Sequence, residues 1–311
     1  MKRLDYKIGE IAKNEVTLTK YEIITKKIIE ALESNTVPWK KPWISLRPQN
    51  LFSKKEYRGI NFLLLSMVPT KYPYFATFKQ VQEAGGVILK GSKSLPVYFF
   101  SPVDKKENPN VESETESKSY YLMKQYNVFT CEQIDGIDFS YRMANLHKEF
   151  NQVERAEEII SKYIQSQNIK LLPSQEASYT PSIDCLSMPQ KENFDSEGAY
   201  YSTIFHEIIH STGNTKRLNR KGFGINEYHN KGSEGYAFEE LVAEFGAAML
   251  SSYCGIDNSI EVEQSTAYIK NWLNIFKADP TIAYKAASKA QSAVDYVLKS
   301  AGVNLDSIGE D

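Results

Sequence analysis

Cysteine is scarce in this sequence. Cys131, Cys185 and Cys254 are scattered along 311 positions. An odd, widely spaced set argues against a disulfide framework and offers no thiolate pair for a metal. A reducing cytoplasm is the expected location. Long apolar runs are missing too. None approaches the roughly 18 residues of a bilayer-spanning helix, so no membrane partner is expected. No apolar stretch of signal-peptide length follows Met1 to Lys7. Histidine is rare, with four in the chain, yet His206 and His210 share one helical turn.

What is present is enough for a globular core. Apolar residues make up 41% and charged residues 24%, which excludes disordered, collagen-like and coiled-coil chains. At about 150 residues per domain the length suggests two domains. The net charge of −2 hides an asymmetry. Residues 1–110 hold 19 Lys+Arg against 10 Asp+Glu, and residues 111–311 hold 18 against 29. A front half at +9 suits a polyanion, and the acidic back half suits a different partner.

Periodicity predicts an amphipathic helix over 17–34, with Tyr21, Ile24, Ile28 and Leu32 on one face. Short helices are expected at 61–67 and 77–84, the second stopped by Gly85 and Gly86. Strands are expected at 95–100 and 120–130, paired as a long hairpin. Between them, 104–119 has one apolar residue in sixteen and reads as a mobile charged loop. The domain boundary is placed near 145. The back half is expected to run helix 152–165, strands 169–172, 177–179 and 183–188, helix 200–212, a loop at 213–235, and helices 236–253, 263–277 and 281–299. Arg217, Arg220 and Lys221 read as a solvated basic patch in that loop.

The sharpest motif is His206-Glu207-Ile208-Ile209-His210. Two histidines four apart on a helix stack one turn above the other, so both imidazoles can take one Zn²⁺ at about 2.0–2.1 Å. Another divalent ion such as Mn²⁺ is the alternative. Glu207 lies one residue round the helix, where it can serve as general base toward a water. Tyr201, Ile204, Phe205 and Ile208 anchor the opposite face. A third ligand must come from another element, and the acidic start of the next helix offers it. A Glu ligand followed four residues on by another acid resembles the gluzincin pattern. By that resemblance Glu240 ligates the metal and Glu244 holds a ligand histidine, with Glu239 the competitor for both roles. His229 is a rival ligand. Tyr228, His229 and Tyr236 are candidate donors to a developing oxyanion. Gly246, Ala247 and Ala248 permit close helix packing.

The front half interleaves rings and cations from Trp39 to Tyr98. Single-stranded nucleic acid wants both, because cations track its backbone and rings stack on unpaired bases.

Further segments carry a resemblance. In the front half they are Pro38-Trp39-x-Lys41-Pro42-Trp43, Tyr57-Arg58-Gly59-Ile60-Asn61, Phe75-x-Thr77-Phe78-Lys79-Gln80 and Gly85-Gly86-Val87-x-x-Lys90-Gly91-x-Lys93. In the back half they are Asp184-x-x-x-Met188-Pro189, His206-Glu207-x-x-His210-x-Thr212-Gly213, Arg217-Leu218-x-Arg220 and Tyr236-Ala237-x-Glu239-Glu240-Leu241-Val242-Ala243-Glu244. Together they resemble the ArdC-like antirestriction proteins of conjugative plasmids and other mobile elements. The resemblance implies an α+β chain. Its residues 1–145 would form a single-stranded-DNA-binding domain with a small sheet and helices, and 146–311 a zincin-like metallopeptidase domain. It further implies protection of incoming DNA and, as a substrate, a DNA-associated protein. Trp39, Lys41, Trp43, Tyr57, Arg58, Asn61, Lys79, Lys90 and Lys93 are the DNA contacts it implies. A non-catalytic DNA-binding protein with a structural metal and a DNA-dependent repair protease are the alternatives.

Overall fold

The amphipathic pattern at the start of the chain folds as α1 (Lys20–Glu33), opened by a Thr19–Glu22 capping box. The computed structural model describes residues 19–34, 37–39, 47–103, 120–140, 151–220, 234–257 and 266–305. The charged segment 104–119 lies outside them.

In the front half, β1 (Gln49–Asn50), β2 (Tyr74–Thr77), β4 (Leu95–Val103) and β5 (Tyr120–Thr130) form one sheet in the order β1-β2-β5-β4. The predicted hairpin is present, with Leu95 opposite Val128 and Val103 opposite Tyr120. Between these strands run α2 (Gly59–Ser66) and α3 (Phe78–Glu83). Two residues each of β3 (Val87–Ile88) and β6 (Ile134–Asp135) make a separate ladder. The sheet's alternation sorts its faces. Val97 and Val128 join a small cluster with Tyr57, Leu65 and Phe75, while Tyr98 and Met123 face the main core.

In the back half, α4 (Gln152–Gln167) precedes a three-stranded sheet of β7 (Lys170–Pro173), β9 (Cys185–Met188) and β8 (Ser178–Thr180). Among the described residues four helices follow: α5 (Glu197–Thr212), α6 (Glu234–Cys254), α7 (Thr266–Ala278) and α8 (Ile282–Ser300). The architecture is α+β, as the sequence predicts. Ala283, Ala286, Ala287, Ala290 and Ala293 make α8 narrow on its buried side, and α2, α4, α5 and α6 all pack on it. Large side chains there would hold those helices apart.

The main core crosses from one half to the other. Ile24, Ile28, Phe62 and Leu63 from the front share a cluster with Phe205, Phe245, Val294 and Val297 from the back. Cys131, Cys185 and Cys254 are free and buried. No helix among the described residues is long and apolar enough to cross a membrane.

Candidate metal centre

Two helices build the centre. The Ser196 hydroxyl opens α5 by accepting the Ala199 N–H at 3.1 Å. Tyr201, Ile204, Phe205 and Ile208 are at most 1% exposed and fix the helix in the core. On α6, Leu241, Phe245 and Met249 do the same. Where the helices cross, a Cβ on Gly246 would stand 2.7 Å from the Ile209 side chain. Glycine is needed there for the approach that brings the two functional faces together.

His206 and His210 turn their Nε2 atoms toward each other, 3.0 Å apart. The Glu240 carboxylate completes the triangle, one oxygen 3.4 Å from His206 Nε2 and the other 3.5 Å from His210 Nε2. Donors about 2.1 Å from a shared ion at a tetrahedral angle stand roughly 3.4 Å apart. The observed triangle fits a divalent ion with one position left open. Among the described residues these three are the one such cluster.

The far side of each imidazole is held too. His210 Nδ1 stands 3.4 Å from Glu239 and His206 Nδ1 stands 3.7 Å from Glu244. A carboxylate on Nδ1 favours the tautomer that leaves the Nε2 lone pair free for a metal. Glu239 thus faces away from the triangle. Glu244 also accepts the Trp39 indole N–H at 3.2 Å.

The solvated patch expected in the following loop is replaced by buried cations. Arg220 is 8% exposed. Its Nε donates to Glu239 at 3.0 Å and its Nη2 to the Ile209 carbonyl at 2.8 Å, with a further bond to the Thr212 hydroxyl. One guanidinium therefore closes the end of α5 and fixes the carboxylate behind His210. Arg217 donates to the Ser211 carbonyl at 2.7 Å and pairs with Asp184. The usable signal was position: two arginines just beyond a helix end whose carbonyls need donors. Lys221, Tyr228 and His229 lie outside the described residues.

Glu207 is 8% exposed beside the triangle. Tyr236 is half-buried on the first turns of α6, four residues before Glu240, so helical spacing puts it on the same face.

The electrostatics favour a cation. Burial opposes charge on His210, but Glu239 and Glu240 outweigh it and push the imidazole up to about 10. Burial opposes charge on His206 as well, and Glu240 raises it despite that. Burial also disfavours the Glu240 charge, yet the two imidazoles hold its carboxyl well below the usual range. In the ion-free protein the His210 shift is stabilising below the ordinary imidazole pKa, and that contribution is lost as pH rises through about 10. A divalent ion must displace these protons. Its affinity is expected to rise about tenfold per pH unit for each proton displaced between about pH 6 and 8. Competitive chelator titrations measure this, and a flat profile would show the imidazoles to be neutral already.

Comparison with known proteins agrees with both halves. A family model described as a zincin-like metallopeptidase matches residues 154–289, and one described as the N-terminal domain of anti-restriction factor ArdC matches residues 19–129. The crystal structure of the antirestriction protein ArdC from plasmid R388 superposes with a TM-score of 0.73 at 30% identity, covering 92% of this chain and 98% of that one. The chain belongs to the ArdC antirestriction family. The Mn(II)-bound structure of the same R388 ArdC gives a TM-score of 0.72. A Sinorhizobium fredii protein, y4eC, is 30% identical over 291 residues, covering 89% of this chain and 91% of its own. Two Escherichia coli proteins named DNA primase TraC are 31% and 32% identical, but the match takes in 20% and 27% of their length. The chain thus spans between a fifth and about a quarter of those relatives.

The ArdC-type front-half motifs separate into surface and interior. Lys79, Lys90 and Lys93 are exposed. Trp39, Tyr57 and Asn61 are not: they are 4%, 3% and 5% exposed. Trp39 packs between Phe245 and Trp272, and Tyr57 against Phe75. Asn61 bonds the Tyr98 backbone. These three pack inside the fold rather than on its surface. Arg58 pairs with Asp295. Lys41 and Trp43 lie outside the described residues.

Proposed function

We propose that this chain is an antirestriction protein whose front half, to about residue 145, grips single-stranded DNA and whose back half carries a metallopeptidase-type centre. The observation that carries the second part is the triangle of His206, His210 and Glu240, with a carboxylate behind each imidazole. Two histidines, one glutamate and an open position suit catalytic zinc. The Mn(II) in the R388 ArdC crystal keeps Mn²⁺ as the alternative occupant.

His206, His210 and Glu240 would hold the ion, which when bound supplies Lewis acidity for water activation and carbonyl polarisation. Glu207 takes the proton of the attacking water on its carboxylate and passes it to the leaving amine. Tyr236 donates its hydroxyl hydrogen bond to the oxyanion. The substrate class is a peptide bond in a DNA-associated protein. For DNA, the support is that the front half exposes Lys79, Lys90 and Lys93 and also the rings of Phe78 and Tyr126, 57% and 48% accessible. Occurrence of similar segments within longer proteins named DNA primase fits a DNA partner.

Metal analysis of the purified chain beside His206→Ala, with a single-stranded-DNA titration on both, tests the reading. About one ion per chain is expected in the wild type and essentially none in the variant, at equal DNA affinity. An unchanged metal content in His206→Ala would remove the centre.

A further inference from the structure

A second site lies at the seam between the halves. A cleft of about 280 Å³ opens between α2, β4 and α8. Arg58, Gly59, Ile60 and Asn61 of the Tyr57-Arg58-Gly59-Ile60-Asn61 motif form one of its edges. We propose that this cleft receives one unpaired nucleobase of the bound single strand. The proposal rests on the single-strand reading above and adds where a base is held.

Three features point to a base. First, Tyr98 lines the cleft, and its buried hydroxyl has no hydrogen-bond partner among the described residues. Tyr98 is 3% exposed. Phenylalanine would pack there without burying an unanswered hydroxyl, so the oxygen next to the cleft is a candidate for a ligand's hydrogen bond. Asn61 fixes its position through two 2.8 Å bonds to the Tyr98 main chain. Second, Phe100 and Tyr284, stacked on each other at 4.4 Å and 26°, both line the cleft and offer it aromatic surface of the kind a base packs on.

Third, the cleft carries no net charge. Arg58 is paired with both carboxylate oxygens of Asp295. The first N–H of α2, on Gly59, is already taken by Gln291 at 2.9 Å. That glycine sits at φ +53°, which lets the chain turn into α2 against α8. A bare phosphate finds the Arg58 charge already answered by Asp295 and the Gly59 N–H already taken. A neutral heterocycle with an edge of donors and acceptors finds hydroxyl, amide and carboxylate groups. Lys289, three residues before Ser292 on the rim, lies one turn away and can meet the strand's backbone.

The test compares the full chain with Tyr98→Phe and Ser288→Trp, the second placing a ring across the mouth from an exposed position. Each is titrated with a short oligothymidylate and with the same strand carrying abasic sites. The wild type is expected to favour the base-bearing strand by about 5- to 50-fold. Ser288→Trp should lose that preference while still binding the abasic strand. Tyr98→Phe should lose about three- to tenfold in affinity at an unchanged or higher melting temperature. Equal binding of both strands by the wild type, or a preference surviving in Ser288→Trp, overturns the cleft but leaves single-strand binding standing. Failure of the wild type to bind either strand overturns both.

Discussion

Arg220→Met is expected to destabilise the fold by about 3–5 kcal/mol and to weaken metal binding ten- to a hundredfold. The cause is what the substitution leaves behind. Glu239 is 3% exposed and its charge is answered by Arg220 and His210. Burial disfavours that charge, and Arg220 foremost keeps the carboxyl below its ordinary range. Without the guanidinium a buried carboxylate faces only an imidazole, the Thr212 hydroxyl loses the donor it accepts from, and the Ile209 carbonyl keeps only the Thr212 O–H. Denaturant midpoints and a chelator titration read the two effects separately. Adding Glu239→Gln should recover part of the stability, since it removes the stranded charge, but not the metal affinity. A loss under about 1 kcal/mol would mean that the network carries little of the fold.

Glu207→Gln is expected to lower the rate of peptide hydrolysis by about 10²- to 10⁴-fold while metal content stays near that of the wild type. The amide keeps the shape and loses the base. Among the described residues no donor engages the Glu207 carboxylate, so the exchange breaks no hydrogen bond of theirs. Cleavage of labelled casein, with and without a single-stranded oligonucleotide, measures the rate. Protection of incoming DNA measured in the same variant separates the two readings of the centre. Intact protection would make the ion structural, whereas lost protection would tie protection to hydrolysis.

The parts of the site that sequence made legible are those written within one helix. His206, Glu207 and His210 announce themselves because four residues make about one turn. The two strands of the β4–β5 hairpin were readable from their aromatic runs across a polar insert. Glu239, Glu240 and Glu244 were visible as acids, but which faces the ion depends on how α6 rotates against α5. That rotation is set by Gly246 meeting Ile209, a contact between residues 37 apart in sequence. Arg217 and Arg220 were misread because loop arginines are normally solvated. These two are buried by the helix end they close. Trp39 and Tyr57 mark the same limit. Composition shows that rings are abundant and cannot show whether a ring faces a strand or a core. The two-residue strands β1, β3 and β6 are too short for periodicity to register.

The shared core has a consequence for how the chain is made. Trp39 reaches its partner Glu244 across 205 residues, Arg58 reaches Asp295 across 237, and Thr25 reaches Pro280 across 255. At synthesis rates of roughly 5–20 residues per second, those partners leave the ribosome some ten seconds to nearly a minute later. During that interval the residues of α1 and α2 that join the main core lack their back-half neighbours. Ile24, Ile28 and Phe62 therefore stay without their back-half partners until the end of synthesis, and polar substitutions there are expected to act on the folded chain through that shared core.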